Sequence, residues 1–160
     1  MNVWRLMAYH DDTYKSQVMQ WTRENGVIAI GWGNTGDLND RSFRNAEDLT
    51  KLVGRTHNIS PSNHANGGSS LWRLVRLMQV GDLVIVKTSS DAVTMRVTGN
   101  YYFVSGEQPY YEHRRNAELT HIDPYWLWER SGSVAPGEGK RRTLIRCTRA
   151  MTDDELSAIG

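Results

Sequence analysis

The apolar run Val27-Ile28-Ala29-Ile30 ends in Gly31-Trp32-Gly33. An indole held between glycines at a strand end can keep one ring face open, and a flat apolar molecule such as a nucleobase can stack there. Such stacking is worth roughly 1–3 kcal/mol per base. A second stretch, from Ser70 to Val86, reads as a basic helix running into a strand, and its Arg73 and Arg76 are suited to phosphates. Two aromatic walls would offset the few kcal/mol needed to unstack a base from a duplex. A methylated base gains further, because the methyl adds apolar area at ~25 cal/mol per Å² against a π-face. Tyr9, His10 and Asp11, at the end of the first strand, either contact a base edge or form a satisfied turn.

Other chemistries find less in the chain. There is no G-x-S-x-G elbow, and Gly31-Trp32-Gly33 lacks the glycine spacing of a phosphate or dinucleotide loop. The histidines (His10, His57, His64, His113, His121) show no H-E-x-x-H spacing, so no metal site and no cofactor is expected. A single cysteine, Cys147, excludes an internal disulfide. Of the six tryptophans, Trp4 and Trp21 read as core and Trp72 as a helix-edge packing residue, while Trp32 reads equally as core or as a binding wall.

The elements that must position these groups follow from periodicity. Val3 to Tyr9 is a first strand. Tyr14, Val18 and Trp21 share one face of a helix that Gly26 stops. Val27 to Trp32 is a buried strand, and a short helix spans Ala46 to Val53 with Gly54 ending it. Thr56 to Ser69 reads as a long polar loop. Ser69 or Ser70 caps a helix whose apolar stripe is Leu71, Leu74, Val75 and Met78. Strands Leu83–Lys87 and Val93–Phe103 flank a Thr88–Asp91 turn, with a bend at Gly99-Asn100. A strand following Tyr111, a last strand at Thr143–Thr148 and a helix opened by the capping box Thr152–Glu155 complete the chain. The sum is an α+β fold: a small mixed β-barrel flanked by short helices, one domain over residues 1–150, with residues 151–160 starting a C-terminal helix or linker.

Charge decides little by its total, +1 over 160 residues, and more by its distribution. Residues 1–70 balance at 7 basic and 7 acidic, residues 71–150 carry 12 against 8, and residues 151–160 hold 0 against 3. The middle of the chain is thus mildly basic, which permits nucleic-acid contact without demanding it. No apolar run reaches the ~20 residues of a membrane helix, and Met1–Arg5 opens no signal peptide, so a cytoplasmic protein with no membrane partner is expected.

The segment Leu71-Trp72-Arg73 through Val80-Gly81-Asp82-Leu83 to Val86 resembles the helix, V-G-D-L and strand of EVE-type domains in the PUA superfamily. Val97-Thr98-Gly99-Asn100-Tyr101-Tyr102-Phe103, with Tyr111 and His113-Arg114-Arg115, resembles the V-T-G and H-R-R elements of the same domains. These are often fused to the nucleases or GTPases of modification-dependent restriction systems, including McrB-type proteins. Trp4–Tyr14 and Gly26–Trp32 are similar in layout to the related YTH domains, and the resemblance covers roughly residues 3–130. It implies Trp32 as one wall of a base pocket, Tyr9 and His10 at the base edge, and a second wall from Tyr101, Tyr110 or Tyr111. It implies Arg73, Arg76, Lys87, Arg114 and Arg115 on the nucleic-acid backbone, and Asn63, His64 and Asn66 as a loop filling the gap left by a flipped base.

The expectation is a non-catalytic reader of double-stranded DNA carrying a modified base. It would target a nuclease or motor fused to it or associated with it, this chain being the N-terminal piece of a larger protein. The alternatives are an RNA-binding module of the same superfamily, or a small nucleotide-acting enzyme using His10, Asp11 and His113 as acid/base groups.

Overall fold

The structure, a computed structural model, describes residues 1–8, 15–39, 42–105, 111–136, 139 and 141–158. Six strands make one sheet: β1 Val3–Met7, β2 Val27–Ile30, β3 Leu83–Lys87, β4 Ala92–Phe103, β5 His113–Leu119 and β6 Leu144–Arg146. Their order is β2-β5-β4-β3-β1-β6, with β1 and β3 parallel and the other pairs antiparallel. Among the described residues five α-helices accompany them: α1 Lys15–Asn25, α2 Ala46–Thr56, α3 Pro61–Trp72, α4 Pro124–Arg130 and α5 Asp153–Ser157.

Alternation in the strands sorts two cores. Trp4, Leu6, Val84, Val86, Met95 and Val97 join the apolar sides of α1, α2 and α3. Val3, Leu83 and Ile85 face the other way and pack with Leu127 of α4, Cys147 and Met151. The V-G-D-L turn is a structural hub. Gly81 takes the left-handed region at φ 95°, and buried Asp82 accepts from the Asn2 N–H, the Gln79 N–H and Trp4 Nε1, each at 3.0 Å. It fastens the start of β1 to the turn entering β3.

Most of the stretch expected to be a loop, Thr56 to Ser69, is helix, with only residues 57–60 lying between α2 and α3. Ser60 and Pro61 open α3, Pro standing where the first helical N–H has no partner to lose. Gly67 and Gly68 lie inside it. A Cβ at Gly68 would meet Thr50 Oγ1 at 2.0 Å and Thr50 N at 2.5 Å, so these glycines are contact points and not breakers. Gly54, expected to end α2, sits inside that helix against His64. The α3 helix then widens into a π turn, Arg73–Leu77, closed by Met78 N–H donating to the Arg73 carbonyl at 2.8 Å.

The sheet is open: β2 and β6 are its edges and are not paired with each other. A flat sheet would hold them apart by five strand spacings, about 24 Å, whereas a helix with its side chains is about 10–12 Å across. Yet α3 touches both ends. Gly67 lies against the indole of Trp32, just beyond β2. Asn66 and Ser70 hydrogen-bond Thr143 and Leu144, at the start of β6. The sheet is therefore curled around α3, and the expected strand-to-strand closure of a barrel is absent because a helix occupies the gap. The β4 bulge between Val97 and Tyr101 assists the bend.

Candidate nucleic-acid interface

Trp32 follows β2 with φ 61° and ψ 39°, a left-handed backbone that a bulky side chain rarely adopts. Its posture is held by a directional relay. The Leu38 N–H donates to Tyr101 Oη at 3.2 Å, and the Tyr101 hydroxyl donates to His113 Nδ1 at 2.7 Å. His113 Nε2–H points at the Trp32 carbonyl, 3.1 Å away, and is shared with Thr35 Oγ1 at 3.0 Å. A carbonyl only accepts, so the proton sits on Nε2 and the tautomer is fixed by its partners. His113 is fully enclosed between the Tyr101 and Phe103 rings, centroids 5.8 and 5.1 Å away, and burial pushes its pKa down from 6.5 to about 4. Burial raises the Tyr101 hydroxyl in turn. The imidazole is thus neutral, with both nitrogens engaged, and is not placed to serve a substrate as acid or base.

The Trp32 ring is half-buried, one part lying where a Gly67 Cβ would come within 2.9 Å of it. Tyr101, expected as an opposing wall, is instead 6% exposed and committed to the relay beneath. Tyr111 is half-buried, and its carbonyl accepts from Arg114 Nε at 2.7 Å. Tyr9, His10, Asp11 and Tyr110 lie outside the described residues.

The expected phosphate contacts divide. Arg115 is buried and donates to three carbonyls: Gly99 at the β4 bulge, and Leu74 and Met78 at the π turn. It caps backbone that the widened helix leaves over, a role that burial prevents it from sharing with a phosphate. Arg114, 6% exposed, lies over the Trp21 ring at 4.9 Å. The H-R-R run is therefore a fastening for the Trp32 turn, for α1 and for the helix end. Arg73 and Arg76 stay at the surface side: Arg73 Nη1 donates to the Leu144 carbonyl at 2.8 Å, and exposed Arg76 sits 6.0 Å from the Trp72 ring centroid. Arg73 and Arg146 of β6 line a small cavity, about 150 Å³, walled by Trp4, Trp72 and Leu77.

A family model described as "Domain of unknown function (DUF8426)" matches residues 4–131. The chain belongs to that family. No curated protein matches it. The matched span holds Trp32, the relay and α3, and stops short of β6.

Arg146 was not singled out from sequence. Its place depends on the register Trp4↔Arg146, a pairing between chain ends that local pattern does not encode. Lys87 lies on the opposite sheet face, beside Arg5 and Ile85. Asn63, His64 and Asn66 are helical residues and not a loop. Asn66 Oδ1 accepts the Thr143 N–H at 2.9 Å and the Ser70 hydroxyl at 3.2 Å. A gap-filling role therefore has no loop to act through. Among the described residues, no three His, Cys, Asp or Glu side chains gather where they could hold a metal ion.

Proposed function

We propose that this domain is a non-catalytic reader of duplex DNA, taking a modified, methylated base against the half-buried indole of Trp32. The reading rests on one observation: a tryptophan at the end of an edge strand, half-buried, is kept in a strained backbone conformation by a buried relay. Such strain persists where surrounding structure over-determines it, and it gathers at recognition sites. Arg73, Arg76 and Arg146 would position the backbone, and the indole would supply selectivity. One helix serves both, since Gly67 beneath Trp32 and Trp72 beside the arginines are separated by about 7.5 Å of helical rise.

On this reading the curled sheet sealed by α3 is a variant of the EVE-type barrel. The domain would work in the cytoplasm as the specificity module of a fused or associated nuclease or motor. The test is a titration, at matched salt, of one duplex sequence carrying N6-methyladenine, 5-methylcytosine or no modification, with the same sequence as RNA. A modified duplex should bind tightest, and Trp32→Ala should remove the preference. Equal affinity for all duplexes would overturn the reader, and tighter binding of RNA would overturn the choice of DNA.

A further inference from the structure

The π turn that ends α3 carries an apolar projection. Among the described residues four large apolar side chains are exposed, and two of them, Leu77 at 42% and Val80 at 57%, stand three positions apart on this turn. Single exposed apolar residues are ordinary, but a pair on one short turn forms a patch. The backbone that carries them is fastened. Buried Met78 lies between them in the chain and packs into the core, and its N–H donates to the Arg73 carbonyl at 2.8 Å. The Leu74 and Met78 carbonyls accept from Arg115. The Gln79 N–H donates to Asp82 Oδ2 at 3.0 Å, and the Gly81 N–H donates to the Val97 carbonyl at 2.8 Å. Leu77 and Val80 therefore stand out from a turn that is held on both sides of each.

The surroundings select the partner. Leu77 lines the small cavity with Trp72, Arg73 and Arg146, and among the described residues that lining holds no carboxylate. Exposed Arg76 directly precedes Leu77, and exposed Arg146 faces the same cavity from β6. No acidic residue occurs from Leu71 to Val80, and Asp82, just beyond, is buried against Asn2 and Trp4. The sign of the turn and its cavity is positive whatever further contacts the individual guanidiniums make. An apolar protein surface laid over Leu77 and Val80 would also have to desolvate these cations. Duplex DNA answers both features. Its phosphates meet the cations, and a parted base step offers an apolar slot of the kind that leucine wedges enter from the minor groove.

We propose that Leu77, flanked by Val80, is a wedge that enters the minor groove and partly unstacks one base step of the bound duplex. The wedge rests on the reading of this domain as a duplex binder, and does not depend on which base Trp32 takes. The experiment uses the full chain and one duplex sequence carrying N6-methyladenine, 5-methylcytosine or no modification, with 2-aminopurine placed in turn at each neighbouring position. Wild type should raise the reporter's fluorescence about twofold or more at one position, as unstacking of a single step implies. The double variant Leu77→Ala, Val80→Ala should abolish that rise and keep the ratio of affinities for modified over unmodified duplex. Its Tm should stay close to wild type, since both side chains are exposed. Trp32→Ala should do the opposite, losing the ratio and keeping the rise. No rise at any position, or a rise that survives the double substitution, would overturn the wedge; a retained preference for the modified duplex would then leave the base reading standing. A rise that needs Leu77 and Val80, with equal affinity for all duplexes, would uphold the wedge and overturn the base reading. Failure to bind any duplex would overturn both. Binding to phosphatidylserine–phosphatidylcholine vesicles that the double variant loses, with the reporter unchanged throughout, would overturn the wedge in favour of a membrane surface.

Discussion

His113 shows what one enclosed ring does for this molecule. At pH 7 it is neutral whether the chain is folded or not. Below its ordinary pKa of 6.5 the unfolded chain takes up a proton that the folded chain refuses until about pH 4. Stability should therefore fall as pH drops from about 6.5 to 4, by on the order of 3 kcal/mol in total. Urea denaturation at half-unit intervals would give this slope, and His113→Gln should flatten it at the expense of stability at pH 7. A slope identical in both proteins would count against the relay. Trp32 gives a complementary test. Trp32→Ala should weaken binding of a modified duplex by roughly 1–3 kcal/mol, the worth of one stacked base. Gly67→Ala, whose new Cβ would fall 2.9 Å from the indole, should displace the ring and reproduce much of that loss with the tryptophan still present. Far-UV circular dichroism would confirm that the helix survives.

At the level of elements, the H-R-R strand and α3 are where recognition from sequence and actual placement part. The basic run of the motif invited a phosphate role. Burial reassigns Arg115, because a π turn leaves carbonyls that a guanidinium can satisfy. The two roles separate in a measurement. Arg115→Met should cost about 1–3 kcal/mol of stability by orphaning buried carbonyls, and should leave the salt dependence of DNA binding unchanged. Arg76→Ala should do the reverse, reducing the slope of log K against log salt by about one. The strands, the Thr88–Asp91 turn, the Gly99 bulge and the Thr152 cap were all legible, since each is written in neighbouring residues. The start of α3 was not. Asn, Ser and paired glycines from 62 to 70 have poor helix propensity, and what favours the helix there is close packing on Thr50 and Trp32, which only the assembled fold supplies.

For the molecule as a whole, a net charge of +1 limits how it can hold a polyanion. With Arg73, Arg76 and Arg146 as the phosphate contacts, the salt slope for duplex DNA should be about −3 or shallower. A steeper slope, measured between 50 and 200 mM salt, would mean that a larger basic surface takes part. The α+β class was readable from periodicity. The burial of Tyr101 was not, because it looks like a surface tyrosine until its hydroxyl is seen between Leu38 and His113. The ends of the sheet meet only through α3, whose residues 66–70 reach back to position 32 and forward to positions 143 and 144. The architecture is a hoop with a helical clasp. Nicking the backbone at an exposed point between those positions severs no side-chain contact across the clasp, so the two fragments should stay together after cleavage. Neither fragment alone would keep the ring, and the pair should regain their structure only when mixed.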